Sequence, residues 1–409
     1  MENIIKKNNE EVFFYSLYRF FYILLIYLVC VLPTTQIYFL PIICALLFIG
    51  FFIHEKINVK VLFILLLLLM LLSLTFMQGL QNNFGLYSKQ EFFAFVGAML
   101  LSILGLYVKG NKTVFLKHLF LAIGIYSVIK VSLVVLVILK VLDMFELTQL
   151  ILDIFGYKIV TYLINGNFNL YRFYLINDLM LLIIPYLYFW FKKNNIKSKS
   201  LSFILYLSLL GILFSFSRAL IVSYFFLLIL SVFSIQSKKK IKSIIIIILL
   251  IASSFYMANH FNLLDSFYAR FNNSSDMNNF SDGYRNIQKQ ELIKEIIKHP
   301  IMGIGLGGYS LTFPGIENSP YSYENQWYAI FMKFGFLKFS LFFGILISLL
   351  LGLCRKNVIA LGYLIVLLIL PFTNPYLTSV QFSLLLMILI MTNAYMDKNI
   401  LQAEYKSKK

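Results

Sequence analysis

The chain has 409 residues, 60% of them hydrophobic and only 13% charged, with a mean hydropathy of +0.83. That is more apolar surface than a soluble core of this length can hide, so an ordinary soluble domain is excluded and an integral membrane protein is expected. The net charge of +17 leaves two sources, nucleic-acid binding or lysines held in cytoplasmic loops, while Cys30, Cys44 and Cys354 resemble neither a disulfide framework nor a metal cluster.

Windows of roughly 17 to 20 apolar residues, enough to cross a hydrocarbon core of about 30 Å, recur from end to end. About twelve spans are expected, at residues 12–32, 36–53, 61–77, 92–108, 119–139, 179–191, 201–214, 219–235, 244–258, 327–353, 358–372 and 380–396. The first is too long and too aromatic for a signal-peptide core, and no small-residue cleavage pattern follows it, so it is expected to remain as a span. With the N-terminus inside, more than half of the 35 basic residues fall in short cytoplasmic segments such as the one around Lys238, Lys239 and Lys240. The positive-inside rule then fixes both termini as cytoplasmic. The same scatter over separate short loops argues against nucleic acid, because no single face gathers the charges with aromatics.

The expected architecture is therefore all-α, a polytopic membrane helix bundle with a large extracytoplasmic loop between spans nine and ten. Its expected divisions are an N-terminal bundle over residues 1–200 with an outer loop at 140–178, a second transmembrane region over 201–396 with an outer loop at 259–326, and a cytoplasmic tail at 397–409. No carboxylate is expected within a span and Lys130 is the one cation near a span centre. That pattern does not suit a proton- or ion-coupled transporter, which keeps acidic groups near the midplane.

The two long outer loops are where function is expected. In the first, "LTQLILDIFGYKIVTYLI" is apolar but broken by Asp153 and Lys158, and reads as a helix lying on the interface. In the second, "YRNIQKQELIKEIIK" sets Ile287, Leu292, Ile293, Ile296 and Ile297 against Lys289, Lys294, Glu295 and Lys298. This predicts an amphipathic helix opening at Asp282-Gly283 and ended by Pro300. The run "HPIMGIGLGGYS" that follows lacks the preceding strand and following helix of a nucleotide-binding loop, so its glycines are expected to allow a tight return of the chain.

Four segments in order, "SFSRALIVSY", "GYRNIQKQELIKEIIKHPIMGIGLGGYS", "YENQWYAIFMKFGFLKF" and "TNPYLTS", resemble the O-antigen ligase and polysaccharide polymerase superfamily, most closely the Wzy-type polymerases. The resemblance covers roughly Leu201 to Met396. It implies a bacterial cytoplasmic-membrane glycosyltransferase, working on the periplasmic or exterior side without metal or cofactor, with an undecaprenyl-diphosphate-linked oligosaccharide as donor. Membrane lipids and a chain-length regulator protein are the implied partners. The outer acids form no D-x-D set, in keeping with metal independence.

A diphosphate leaving group needs fixed cations where charge develops, and arginine binds phosphate oxygens bidentately while staying charged. Arg218 matches the family's arginine after a serine, Arg285 opens the expected amphipathic helix, and Arg172 in "NLYRFYLIND" loosely resembles a first-half family arginine; all three are diphosphate candidates. Arg218 and Arg285 are also catalytic candidates, together with Glu324 as the base that takes a proton from the acceptor hydroxyl. Ligases of this family carry a histidine where this chain has Glu324, a departure that favours a polymerase. Tyr309, Tyr323 and Asn325 are the candidate substrate contacts, with Tyr321 a further ring for stacking on sugars. His299 is expected to close a helix; Arg270, His54, His118 and His260 are read as solvated or structural. Two alternatives remain: a ligase passing finished glycan to a lipid or protein acceptor, and a flippase or transporter, which would carry its polar determinants within the spans.

Overall fold

The computed structural model describes residues 2–32, 40–54, 59–107, 112–155, 163–164, 170–171, 173–193, 201–233, 276–315, 319–355 and 357–393, with a few helical positions between 244 and 259. Among the described residues the regular elements are helices, apart from one small antiparallel ladder. Helices α1 (Glu2–Val31), α2 (Leu40–His54), α3 (Val59–Gln81), α4 (Gly85–Tyr107), α5 (Lys112–Ile138) and α6 (Met144–Phe155) lead to strands β1 (Leu163–Ile164) and β2 (Leu170–Tyr171). There follow α7 (Asp178–Leu181), α8 (Ile183–Lys193), α9 (Leu201–Phe214), α10 (Arg218–Phe233), α11 (Asp276–Lys298), α12 (Gln326–Cys354), α13 (Val358–Ile369) and α14 (Val380–Asn393).

Five helices are long and apolar enough to cross a membrane, with windows at Val12–Val31, Leu62–Gln81, Gly85–Leu106, Lys112–Ile138 and Gln326–Cys354. Shorter apolar helices occupy most of the other expected span positions, and the segment expected at 244–258 lies largely outside the described residues. The interfacial helix is shorter than its apolar pattern suggested: helix covers Met144–Phe155, whereas Leu163 and Ile164 pair with Tyr171 and Leu170 as strand.

The chain divides into two compact units: residues 1–25, 36–112 and 284–409 form the first, and residues 26–35 and 113–283 the second. Within the first unit α14 is buried on every side, from Gln381 to Asn393, which is why its sequence is apolar all round instead of striped. Its crossing with α4 is close because Gly105 has no side chain; a Cβ there would lie 2.4 Å from the Met387 carbonyl oxygen. Such small-residue crossings are how helices associate in lipid, where apolar surface gains nothing by leaving the solvent. Phe63, Leu66, Met70, Leu74 and Met77 recur every three or four residues on α3 and are all exposed, a stripe suited to lipid contact.

Helix α12 is broken at Gly335, where φ is 69° and ψ is 170°. The backbone groups freed by the break are satisfied by the segment after α11: Ile304 N–H donates to the Met332 carbonyl at 3.0 Å and Gly305 N–H to the Lys333 carbonyl at 2.9 Å. In return Phe336 N–H donates to the Pro300 carbonyl at 2.8 Å and Leu337 N–H to that of Ile301 at 3.2 Å. Non-helical backbone among membrane helices persists only when it is paired in this way. Leu306 then enters the apolar core with Leu72, Phe95, Ile330, Phe334 and Phe343.

In the second unit α5, α8, α9 and α10 surround the short α7. Gly124 lets α5 approach Ile204 of α9, and the Tyr224 and Ser208 hydroxyls meet at 2.7 Å between α10 and α9. Asn177, just before α7, donates to the carbonyls of Val29, Cys30 and Leu32, covering the exposed end of α1.

The charge reading needs correction. Glu91 lies inside α4, because that helix starts at Gly85, earlier than the hydropathy window, and Lys333 and Lys338 lie inside α12; all three are buried. Lys130 is neither alone nor facing water: its ammonium meets Asp178 at 2.6 Å with both side chains fully buried, and the Tyr126 hydroxyl donates to the same carboxylate at 2.7 Å.

Candidate functional site

In the first unit, three of the quoted motifs meet around the start of α12. Arg285 stands on α11 and its Nε donates to Glu324 Oε2 at 2.6 Å. The helix begins at Asp276, so Asp282-Gly283 lies within it and Arg285 is an interior residue, not an opening one. The expected apolar face is also displaced: Leu292 and Gln288 are buried, whereas Ile287 and Ile297 are exposed.

Glu324 is held from both sides along the chain. Asn325 N–H donates to Gln288 Oε1 at 2.8 Å, and Asn325 Nδ2 donates to the Arg285 carbonyl at 2.8 Å. Tyr323 is enclosed, its hydroxyl accepting from Ser310 N–H at 2.8 Å and donating to the Phe313 carbonyl. Asn325 and Tyr323 thus brace the arginine–carboxylate pair. Gln326 accepts from Leu377 N–H at 2.8 Å, which ties "YENQW" to the "TNPYLTS" turn, and Trp327 Nε1 donates to the Leu368 carbonyl of α13.

The pair itself remains accessible, with side chains 23% and 38% exposed for Arg285 and Glu324. Tyr284 lies beside it against the Phe313 ring at 5.0 Å, and burial, with the Glu324 charge adding to it, raises the phenol above its ordinary value. Tyr309 lies 5.6 Å from Phe84 and 5.9 Å from Tyr87, and Tyr87 lies 5.7 Å from Tyr321, giving a half-buried aromatic patch. Burial first, and then the charges of Glu91 and Tyr87, push the Tyr321 phenol up to about 12.

In the second unit Arg218 opens α10 after the turn Ser215–Ser217, where Ser217 N–H donates to Ser215 Oγ and Phe216 adopts φ 46°. A left-handed bulky residue is unusual and marks a turn under constraint. Arg218 Nη2 donates to both oxygens of Asp282, at 2.7 and 2.9 Å, with the two side chains 26% and 46% exposed. A cation at a helix N-terminus opposes the helix dipole, and the carboxylate offsets that. Arg172, Arg270 and His260 lie outside the described residues. His299 is exposed at the end of α11, and His118 faces the Tyr27 hydroxyl at 3.5 Å.

Residues 203–343 match the family described as O-antigen ligase. The match takes in Arg218, Arg285, the glycine run and Glu324, and supports the resemblance to the O-antigen ligase/polymerase superfamily, whose members transfer glycans. Comparison with curated proteins and with solved structures finds no match. Five helices long and apolar enough to cross a membrane, with the O-antigen ligase match, are the features of a multi-pass membrane protein.

Sequence reasoning missed the carboxylate partners. By sequence Asp282 reads as a helix start, and Glu91 lies one residue before the span expected at 92–108. The signal for Lys333 was present in "FMKFGFLKF", since a lysine in an apolar segment needs a partner. Among the described residues no group of three or more His, Cys, Asp or Glu side chains comes together as a metal site would require.

Proposed function

We propose that this protein is a Wzy-type polysaccharide polymerase, joining undecaprenyl-diphosphate-linked repeat units on the outer side of the bacterial cytoplasmic membrane, with about twelve spans and both termini inside. The observation that carries the reading is the accessible Arg285–Glu324 pair inside the family-matching region. An ion pair exposed to this degree contributes only about 0–1 kcal/mol. A diphosphate, with more than one negative charge, therefore displaces the carboxylate from the guanidinium at little cost. Binding of the donor then frees Glu324 to accept a proton.

In the proposed reaction an acceptor hydroxyl oxygen bonds to the anomeric carbon of the donor glycan, the bond from that carbon to the diphosphate oxygen breaks, and Glu324 takes the hydroxyl proton. Arg285 neutralises charge on the departing diphosphate, as a preorganised cation does in other transfer sites, and Arg218 and Arg172 are proposed as further diphosphate-binding residues. Tyr309 and the rings beside it offer stacking faces for sugars. An apolar cavity of about 220 Å³ lined by Leu68, Phe95, Met99, Phe343 and Leu386 is of the kind a hydrocarbon chain fills.

Arg285→Ala, Arg218→Ala and Glu324→Ala are each expected to leave the protein inserted while single repeat units accumulate on the lipid carrier. Normal polymer ladders from all three would defeat the proposal. A ligase is the second reading, favoured by the description of the matching family. Deletion separates the two: loss of a polymerase leaves short units on the carrier, whereas loss of a ligase leaves long polymer there.

A further inference from the structure

Glu91 and Lys333 form an ion pair at 2.5 Å, with side chains only 7% and 2% exposed. Glu91 uses its other oxygen to accept from Gly307 N–H at 2.7 Å, and Lys333 also donates to the Tyr321 carbonyl at 2.7 Å. One buried pair therefore ties together α4, the glycine run, the segment that carries Glu324, and α12. A buried ion pair is costly to desolvate and is commonly no more stable than an apolar replacement. Stability alone does not account for it, whereas its hydrogen bonds reach the two segments that flank the candidate base. Gly307, at φ +74°, packs so closely on α4 that a Cβ there would lie 2.3 Å from Ser88 N.

We infer that Glu91 and Lys333 are positioning residues for the transfer step, holding Gly307 and the 319–324 segment so that Glu324 meets Arg285. This rests on the proposed role of Glu324, and the experiment has one arm that needs no activity. With Cys30, Cys44 and Cys354 replaced by serine, Arg285→Cys and Glu324→Cys report the geometry through their disulfide yield in the folded, monodisperse fraction. Activity is read separately, in chains retaining Arg285 and Glu324, as polymer length in the native host.

The double variant Glu91→Gln/Lys333→Met keeps shape and removes both charges. It is expected to insert normally, lower disulfide yield at least about fivefold, and shift product from polymer to single repeats. The charge swap Glu91→Lys/Lys333→Glu restores a pair but gives Gly307 N–H no acceptor at position 91, so it is expected to stay defective in both readouts. Wild-type disulfide yield and wild-type polymer in the double variant, or full rescue by the swap, would overturn the inference. If the double variant does not accumulate, Lys333→Arg decides, with the same defects expected in milder form and wild-type behaviour overturning the idea. A deletion strain with unaltered glycan would instead remove the polymerase reading and leave the disulfide arm standing.

Discussion

Gly305→Ala tests whether the glycine run is a docking strap. Gly305 has φ +90°, and a Cβ built there would lie 2.2 Å from Gly79 N and 2.5 Å from Gly79 Cα, both rigid helix backbone. The left-handed conformation costs an L-residue about 1–2 kcal/mol. The larger cost is displacement, since the strap must lift from α3 and α12 and lose the bonds at 2.9 Å to the Lys333 carbonyl, 3.0 Å to the Thr75 carbonyl, 2.7 Å from Gln78 to the Gly303 carbonyl and 2.8 Å from Asn82 to that of Ile304. At about 1 kcal/mol net for each bond the sum is about 5–6 kcal/mol, and at about 2 °C per kcal/mol the melting temperature falls by about 10 °C. Gly344→Ala is the matched control: nothing lies within 4 Å of its added methyl, and in a helix the change is expected to be neutral or stabilising by up to about 1 kcal/mol. Fluorescence-detected size exclusion after heating in detergent reads both. Gly305→Ala melting together with Gly344→Ala would refute the docking argument.

Lys130→Met alone leaves the Asp178 carboxylate buried without its cation and is expected to cost about 3–5 kcal/mol; adding Asp178→Asn should recover part of the loss, read as yield of monodisperse protein. Gly105→Val drives a side chain into the Met387 carbonyl 2.4 Å away and is expected to destabilise by about 1–3 kcal/mol or more, read in the same thermal assay. Glu291 is held below its ordinary value of 4.5 by hydrogen bonds from Lys294 first and then Thr312. Its hold on Thr312 is therefore fully present above that value and lost as pH falls through the lower folded one. Limited proteolysis of the 310–315 segment is expected to rise as the pH falls below the ordinary carboxylate range, and Glu291→Gln should remove the pH dependence.

What the sequence made legible depended on the physical range of the signal. Helix positions follow from runs of apolar residues, a property of neighbours in the chain, and α5, α9, α12 and α13 lie close to where hydropathy predicts them. The motif order likewise led to Arg218, Arg285 and Glu324. Pairings across the chain have no such local trace. Glu91 is 242 positions from Lys333, and nothing in "GLYSKQEFF" indicates that its carboxylate is buried. Local patterns also misled where polar contacts outweighed periodicity: Gln288 takes the buried position on α11 because it accepts from Asn325 N–H, and Ile287 is turned outward. The glycine run was legible as a tight return but not as the filler of a broken helix, because the break at Gly335 becomes visible only when both backbones are in view.

Exposure sorts four of the ion pairs among the described residues into two kinds, and that sorting joins the fold to the chemistry. Lys130–Asp178 and Lys333–Glu91 are closed to solvent, so removing either partner strands a charge at a cost of about 3–5 kcal/mol and the pairs stay made. Arg285–Glu324 and Arg218–Asp282 are partly open to solvent and worth about 0–1 kcal/mol, so a stronger anion can take the carboxylate's place at small cost. A guanidinium that waits on a carboxylate is kept oriented until a better anion arrives. In the proposed reaction the carboxylate that Arg285 releases is the base, Glu324, so donor binding and base activation become one event. Arg285→Lys keeps the charge but loses the planar fork, and should therefore weaken donor binding more than it alters insertion or fold. Arg285→Lys polymerising at the wild-type rate would show that charge alone suffices there.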